Sequence, residues 1–211
     1  MRILIADDHS VVRRGLQQII ATRPGWSVAA EVSTLEEVLP ALRGGPIDVV
    51  VLDVSFGAGR SGIDLLSHIR SEFRALPVLM LTMHAERQYA VRCLRAGASG
   101  YIQKDSSPEE LLAAIDRVAS GRTYVSEQVT DQMATELVRG GHSTLPHERL
   151  SSREFEVFRL IASGKSPTEI AEMLTLSIKT VSTYRARILE KMNFRSNADI
   201  VTYAIRNRVL E

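Results

Sequence analysis

Ile47-Asp48-Val49-Val50-Val51-Leu52-Asp53 is a short, largely β-branched run that stops on a carboxylate. Its length, and the Gly44-Gly45 pair before it, favour a buried strand over a helix. Three other runs have the same form. Ile3-Leu4-Ile5-Ala6 stops on Asp7-Asp8, Val78-Leu79-Met80-Leu81 on Thr82, and Gly100-Tyr101-Ile102-Gln103 on Lys104. Short apolar runs with helical segments between them predict parallel strands of an α/β sheet. In such sheets ligands lie beyond the carboxyl ends of the strands, where the connections part to opposite faces. Three carboxylates, a hydroxyl and an ammonium are therefore expected to meet on one edge.

The intervening segments carry helical periodicity. Val11, Val12, Leu16, Ile19 and Ile20 make one apolar face, and Ser27 to Val32 adds a further strand. Leu35, Val38 and Leu42 make a second face, and Ile63, Leu65, Leu66, Ile69 and Phe73 a third. Residues 86–96 predict a helix stopped at Gly97. Pro108-Glu109-Glu110 opens another, acidic at its start as the helix dipole prefers, with Leu111, Leu112, Ile115 and Val118 inward. Five strands alternating with five helices predict a doubly wound domain over 1–120. Residues 121–146 read as a connection, a linking helix over 126–139 and a joint at Gly140 to Pro146. Residues 147–211 read as wholly helical, four helices in all. Ser151-Ser152-Arg153-Glu154 is a capping-box sequence ahead of Phe155, Phe158, Leu160 and Ile161, and Ser196-Asn197-Ala198-Asp199 caps the last helix.

Composition narrows the class. The 211 residues are 45% hydrophobic and 24% charged, ordinary for a globular chain long enough to bury a core. Residues 146–211 hold 11 Lys/Arg against 8 Asp/Glu, a net of +3, and the remainder 15 against 17, a net of −2. Nucleic acid, if bound, is expected at the C-terminal part. One cysteine, Cys93, rules out an internal disulfide and is expected to pack as a small apolar side chain. No segment approaches the roughly 20 apolar residues of a membrane span, and Asp7 comes too early for a signal peptide, so the expected location is cytoplasmic.

A lone Asp after a strand is usually a cap, a lone Thr a strand end, and a lone Lys a solvated charge. Their occurrence in order at four strand ends is what points to chemistry. The carboxylates suit a hard divalent cation such as Mg²⁺, which takes oxygen ligands. Asp53, nearest the middle of the sheet, is placed to attack phosphorus and become an aspartyl phosphate. Lys104 and the Thr82 hydroxyl are placed to offset charge on the phosphoryl oxygens.

Asp7-Asp8, Asp53, Thr82, Tyr101 and Lys104 resemble the receiver domain of two-component response regulators, over about residues 1–120. Lys104-Asp105 with Ser106 to Leu112 following is similar to the NarL/FixJ branch. The resemblance implies a flavodoxin-like fold with Asp8 on Mg²⁺ directly and Asp7 mainly through water. The Ser55 backbone carbonyl is a further implied ligand. It implies that Asp53 accepts phosphate from a sensor histidine kinase, and that Thr82 and Tyr101 form the switch pair. One stretch departs from the family pattern. Asp53 is followed by Val54-Ser55-Phe56-Gly57-Ala58-Gly59-Arg60-Ser61-Gly62, with no Met-Pro pair and one extra residue. Its three glycines cost order. The loop is no P-loop, since it lacks a Gly-Lys-Ser/Thr ending.

In the helical part, a short helix from Pro167, a turn at Thr175-Leu176-Ser177 and a longer helix near 178–192 predict a helix-turn-helix over about 168–187. Ile178, Val181, Ile188 and Leu189 are expected to face the core. That leaves Lys179, Ser182, Thr183, Ala186 and Arg187 outward, a mixture suited to phosphates and base edges. Leu150 to Glu154, Ile170-Ala171 and Lys179 to Tyr184 closely resemble the LuxR-type DNA-binding domain over about 147–208. The resemblance implies base contacts from Ser182, Thr183 and Ala186 and phosphate contacts from Lys179, Thr180 and Lys191. Tyr184 stands where that family often has histidine, and can pack or reach a phosphate. The helix near 196–207 is the family's dimer contact; by pattern alone it could equally close the core.

These readings converge on a transcription factor regulated by phosphorylation, binding double-stranded promoter DNA, as a homodimer once phosphorylated. RNA polymerase is a compatible further partner. Its only enzymatic act would be Mg²⁺-dependent phosphorylation and dephosphorylation of its own Asp53. One rival is a phosphohydrolase of the haloacid-dehalogenase type, disfavoured because Asp53-Val54-Ser55 lacks the second Asp of Asp-x-Asp. The other is a DNA-binding protein whose first domain only dimerises, disfavoured by the intact acidic set.

Overall fold

The computed structural model describes residues 1–56, 60–83, 87–125, 130, 145–207 and 209–210. It divides into two compact units, Met1–Thr135 and Glu136–Glu211. The expected linking helix over 126–139 lies, apart from residue 130, outside the described residues. So does the joint that follows it, apart from Leu145 and Pro146.

In the first unit, β1 (Arg2–Ala6), β2 (Ser27–Val32), β3 (Val49–Asp53), β6 (Val78–Thr82) and β7 (Gly100–Gln103) form a parallel sheet in the order β2-β1-β3-β6-β7. Every residue of β3 and β6 is buried, as expected of strands covered on both faces. Ile3, Ile5, Val49, Val51, Leu79, Leu81 and Ile102 form one core with α1 (Ser10–Ala21) and α5 (Pro108–Ala119), which contribute Leu16, Ile20, Leu111, Ile115 and Val118. Each such side chain contributes roughly 1.5–3 kcal/mol by leaving water. Further helices are α2 (Leu35–Arg43), α3 (Gly62–Glu72) and α4 (Arg87–Arg95); α4 is followed by Gly97 at φ +100°. Cys93 is fully buried, as expected of a packing residue.

Val11, expected on the apolar face of α1, is instead 80% exposed. It precedes Leu16 by five residues, which turns it about 140° away from the buried stripe. Strand β3 starts at Val49, directly after Asp48. Its carboxylate accepts the Arg2 N–H at 2.6 Å and its own N–H donates to the Arg2 carbonyl at 2.8 Å. The sheet edge also extends past residue 120: Tyr124 forms a parallel bridge to Gly100, and its carbonyl accepts the Tyr101 N–H at 3.0 Å.

The unusual loop after Asp53 forms a small antiparallel hairpin, β4 (Ser55–Phe56) against β5 (Arg60–Ser61), with residues 57–59 outside the described set. Gly62 closes it. Its N–H donates to the Val54 carbonyl at 2.9 Å, and a Cβ there would lie 2.0 Å from the Asp53 carbonyl oxygen. Here glycine serves close backbone approach, not flexibility.

Among its described residues the second unit has a 3-10 turn (Pro146–Arg149) and four helices, α6 (Ser152–Ala162), α7 (Pro167–Met173), α8 (Ile178–Met192) and α9 (Asn197–Arg206). Capping boxes start α6, α7 and α9 at Ser151/Glu154, Ser166/Glu169 and Ser196/Asp199. Phe155, Phe158, Ile170, Val181, Ile188 and Ile200 fill the core, with Tyr203 edge-on to Phe158. Thus α9 closes this core through Ile200 and Ala204, while Ile205 stays 66% exposed. Gly62→Ala is expected to destabilise the first unit by about 1–3 kcal/mol through forced displacement of the Asp53 backbone. Chemical denaturation checks this, and an unchanged midpoint would contradict the close approach.

Candidate functional site

The carboxyl edge of the sheet holds the expected residues together. Asp7 and Asp53 are almost completely buried, and Asp8 is partly exposed. The Lys104 ammonium lies 2.7 Å from Asp7 Oδ2 and 2.9 Å from Asp53 Oδ2, with its side chain 5% exposed. Backbone bonds fix these groups. The Lys104 N–H donates to the Thr82 carbonyl at 2.6 Å, and the Val54 N–H to the Leu81 carbonyl at 2.8 Å. Arg13 holds the Asp7 carbonyl at 2.7 Å. Ser55 lies in β4 and its N–H donates to Asp53 Oδ1 at 3.1 Å.

Electrostatics follow from this packing. Burial raises the Asp53 pKa to about 6; Lys104 opposes that rise and Asp7 adds to it. Burial works against the Lys104 ammonium, but Asp53 and Asp7 prevail and raise its pKa above the usual lysine value. The Thr82 hydroxyl is fully buried and hydrogen-bonds the Tyr101 hydroxyl, whose own pKa burial pushes upward. The switch pair of the sequence reading is therefore in contact, with the Tyr101 ring turned inward and 8% exposed.

Ligand atoms of Asp7, Asp8, His9 and Asp53 all lie within 4.8 Å of one another. Carboxylate oxygens so grouped, in net excess over the one ammonium, fit a divalent cation such as Mg²⁺. His9 was not anticipated. Its position directly after the acidic pair was the available signal, but an imidazole there looks like an ordinary start to α1.

In the second unit the outward face of α8 carries Lys179, Ser182, Thr183, Ala186 and Arg187, all exposed, with Thr180 and Tyr184 half-buried. Ser177 caps α8, its Oγ accepting the Thr180 N–H at 3.0 Å. Ser182 Oγ and Thr183 Oγ1 each donate to the carbonyl four residues back, Ile178 and Lys179, at 3.0 Å. The turn passes through Thr175 at φ +53°, a costly conformation for a β-branched residue, and buried Arg153 donates to the Leu174 carbonyl at 2.9 Å. Ile178 does not face the core as expected, being 51% exposed. The buried stripe of α8 is Val181, Ile188 and Met192, and Ile178, as the first helical residue, projects beyond it. Lys191, expected at a phosphate, is 2.6 Å from Glu154, a carboxylate with 3% side-chain exposure.

Among the described residues no helix is long and apolar enough to cross a membrane. Comparison with known proteins finds a match for each unit. Residues 3–116 match the family described as "Response regulator receiver domain", and residues 148–204 match "Bacterial regulatory proteins, luxR family". The oxygen regulatory protein NreC of Staphylococcus haemolyticus is 36% identical over 216 residues, covering 100% of both chains. NreC of Staphylococcus aureus is 37% identical with the same coverage. Among solved structures, a LuxR-family response regulator from Aurantimonas is 38% identical with a TM-score of 0.59, covering 65% of this chain and 97% of that one. RcsB of Salmonella enterica serovar Typhimurium, bound to promoter rprA in the presence of the phosphomimetic BeF3⁻, is 26% identical with a TM-score of 0.60, over 96% of this chain and 97% of that one. The chain belongs to the two-component response regulators, with a receiver domain followed by a LuxR-type DNA-binding domain.

Proposed function

We propose that Asp53 is the phosphoacceptor of a cytoplasmic regulator that receives its phosphate from a sensor histidine kinase and binds promoter DNA as a homodimer. In this reading residues 1–120 are the receiver, 121–146 connect, and 147–211 bind DNA. The observation that carries it is the Lys104 ammonium bridging Asp7 and Asp53 beside Thr82 in one buried pocket. An Asp53 carboxylate oxygen attacks the phosphorus of a phosphohistidine. The P–N bond breaks and its electron pair returns to the imidazole nitrogen, which takes up a proton. Lys104 neutralises the arriving oxygens and Thr82 donates to one of them. Asp8, Asp53 and the Ser55 carbonyl, with Asp7 through water, would hold Mg²⁺, which supplies further positive charge when bound.

The Tyr101 N–H bond to the Tyr124 carbonyl supports a route outward, since it ties the Thr82–Tyr101 pair to the chain leading toward the second unit. There Lys179, Thr180 and Lys191 are assigned to phosphates and Ser182, Thr183 and Ala186 to base edges, with Tyr184 and Arg187 flanking. Lys191 reaches a phosphate only by sharing or leaving its pairing with Glu154. RcsB bound to promoter DNA, and a structure described as two RcsB dimers on two parallel DNAs, support the DNA and dimer readings. Contact with RNA polymerase is consistent with a promoter-bound regulator.

A small phosphodonor with Mg²⁺ is expected to give a base-labile adduct on the full chain, which Asp53→Ala abolishes; mass spectrometry and acid/base lability identify it. Undiminished labelling of that variant would remove Asp53 as acceptor.

Attack requires ionised Asp53, and its raised pKa makes that costly. Because the folded state holds this proton more tightly, the stability Asp53 contributes is full below about pH 4 and is lost as the pH rises through about 6. Asp53→Asn is therefore expected to stabilise the metal-free receiver by about 3 kcal/mol at pH 7.5, with the gain falling to about 1 kcal/mol at pH 4.5. Denaturant titrations at the two pH values test this; a variant less stable at pH 7.5 would contradict it.

On DNA, Lys179→Ala should weaken specific and random duplexes alike and lower the salt slope by roughly 1. Thr183→Ala should leave the slope unchanged and cost about 1 kcal/mol or less on the specific site alone. Anisotropy titrations across salt concentration separate the two; a slope change for Thr183→Ala would reverse its assignment.

A further inference from the structure

Glu154 carries two bonds on one oxygen. Its Oε2 accepts the Ser151 N–H at 2.7 Å, as half of the capping box that starts α6, and lies 2.6 Å from the Lys191 ammonium. The carboxylate side chain is 3% exposed and the lysine side chain 42%. The pair therefore has one end inside the second unit and the other open at its surface. Burial works to raise the Glu154 pKa, but Lys191 and the Ser151 N–H outweigh it and hold the group below the usual carboxylate range. Glu154 is thus ionised near neutral pH. Neighbouring Arg153 is committed elsewhere, to the Glu156 carboxylate and to the Leu174 carbonyl just past α7. Taking Lys191 away would leave a buried charge unpaired, which costs far more than a lysine gains at an exposed anion.

Lys191 stands in a row of α8 to which DNA contacts are assigned. It follows Thr180, Tyr184 and Arg187 at intervals of four, three and four residues, the spacing that stacks side chains on one face. A phosphate approaching that row meets a rival already in place. We propose that Glu154 competes with DNA phosphate for Lys191, so that this lysine is withheld when α8 rests on DNA of arbitrary sequence. The proposal rests on the reading of α8 as the DNA-binding helix. Non-specific affinity comes from phosphates neutralised by Lys and Arg. Withholding one cation lowers the affinity for such DNA, and the phosphate role assigned to Lys191 stays latent until the pair opens.

The test uses the full chain and a random-sequence duplex, in anisotropy titrations across salt concentration. Glu154→Gln removes the charge and keeps a side chain that capping boxes accept. It is expected to tighten binding about fivefold near 0.1 M salt and to steepen the salt slope by roughly 1. Lys191→Ala is expected to leave the slope unchanged in the unaltered chain and to lower it by roughly 1 in the Glu154→Gln background. If Glu154 were merely structural, Glu154→Gln would weaken binding or leave the slope where it was, and either result overturns the proposal. So does a fall of roughly 1 for Lys191→Ala alone. A second measurement needs no variant of Glu154 and so does not depend on its folding. Mild acetylation read by mass spectrometry should find the exposed Lys179 protected by the duplex and Lys191 as reactive as in the free chain. Protection of Lys191 overturns withholding. If neither lysine is protected and Lys179→Ala leaves the slope unchanged, the reading of α8 itself fails, and the proposal with it.

Discussion

The Lys104 ammonium between Asp7 and Asp53 is the contact on which the edge of the first unit depends. Two carboxylates buried to this degree cost several kcal/mol each to desolvate unless they are paired. One ammonium meets one charge fully and leaves the pocket with a negative excess, to which Asp8 adds. The residual imbalance is visible in Asp53, whose pKa stays near 6 despite a lysine 2.9 Å away. Burial and the Asp7 charge outweigh the pair. A pocket in this condition favours whatever brings positive charge, which is why its features make it a poor stabiliser and support the cation and phosphoryl roles proposed for it.

Strand register brings that contact about. Ala6 pairs with Leu52, so the residues that follow, Asp7 and Asp53, leave neighbouring strands at one level. Asp53 pairs with Leu81, and Thr82 pairs with Gln103, which puts Thr82 one step further along and Lys104 two. A one-residue slip of any strand would turn its terminal group to the opposite face. Register is guarded by complete burial of β3 and β6, where no slip could leave an apolar side chain for solvent at low cost. The core that stabilises the sheet and the site that uses its edge are thus one constraint.

Most of this could be read from the chain because strand ends carry it. The run ending at Asp53 and its three counterparts have a local signal, and the order of their terminal residues has a chemical one. What escaped depends on contacts distant in sequence or on direction around a helix. Val11 and Ile178 are apolar residues at helix starts, where periodicity over one turn does not fix which way a side chain points. The β4–β5 hairpin replaces an expected loop because Gly62 docks on the Asp53 carbonyl, an approach no pattern announces. Glu154 reads as half of a capping box, and it is one: its carboxylate accepts the Ser151 N–H at 2.7 Å. That it also captures Lys191, 37 residues on, is a tertiary fact. The charge count alone could not distinguish a lysine committed to a buried carboxylate from one left to solvent, such as Lys179.

The same distinction governs the outward face of α8, to which the DNA contacts are assigned. Ser182 and Thr183 each commit their single hydroxyl proton to a backbone carbonyl of α8. So arranged, each hydroxyl presents only acceptor lone pairs outward, and Thr183 and Ala186 also present methyl groups. Acceptors address the amino groups of adenine and cytosine, and methyls address the thymine methyl, whereas the guanine acceptors need a donor. Rotating a hydroxyl to donate outward forfeits its helix bond, a net cost of about 1 kcal/mol in water. On this face the donors that need no such rotation are the cations, Lys179 and Arg187. Selectivity on a site rich in guanine would have to come from them, and each cation used on a base is one fewer on a phosphate.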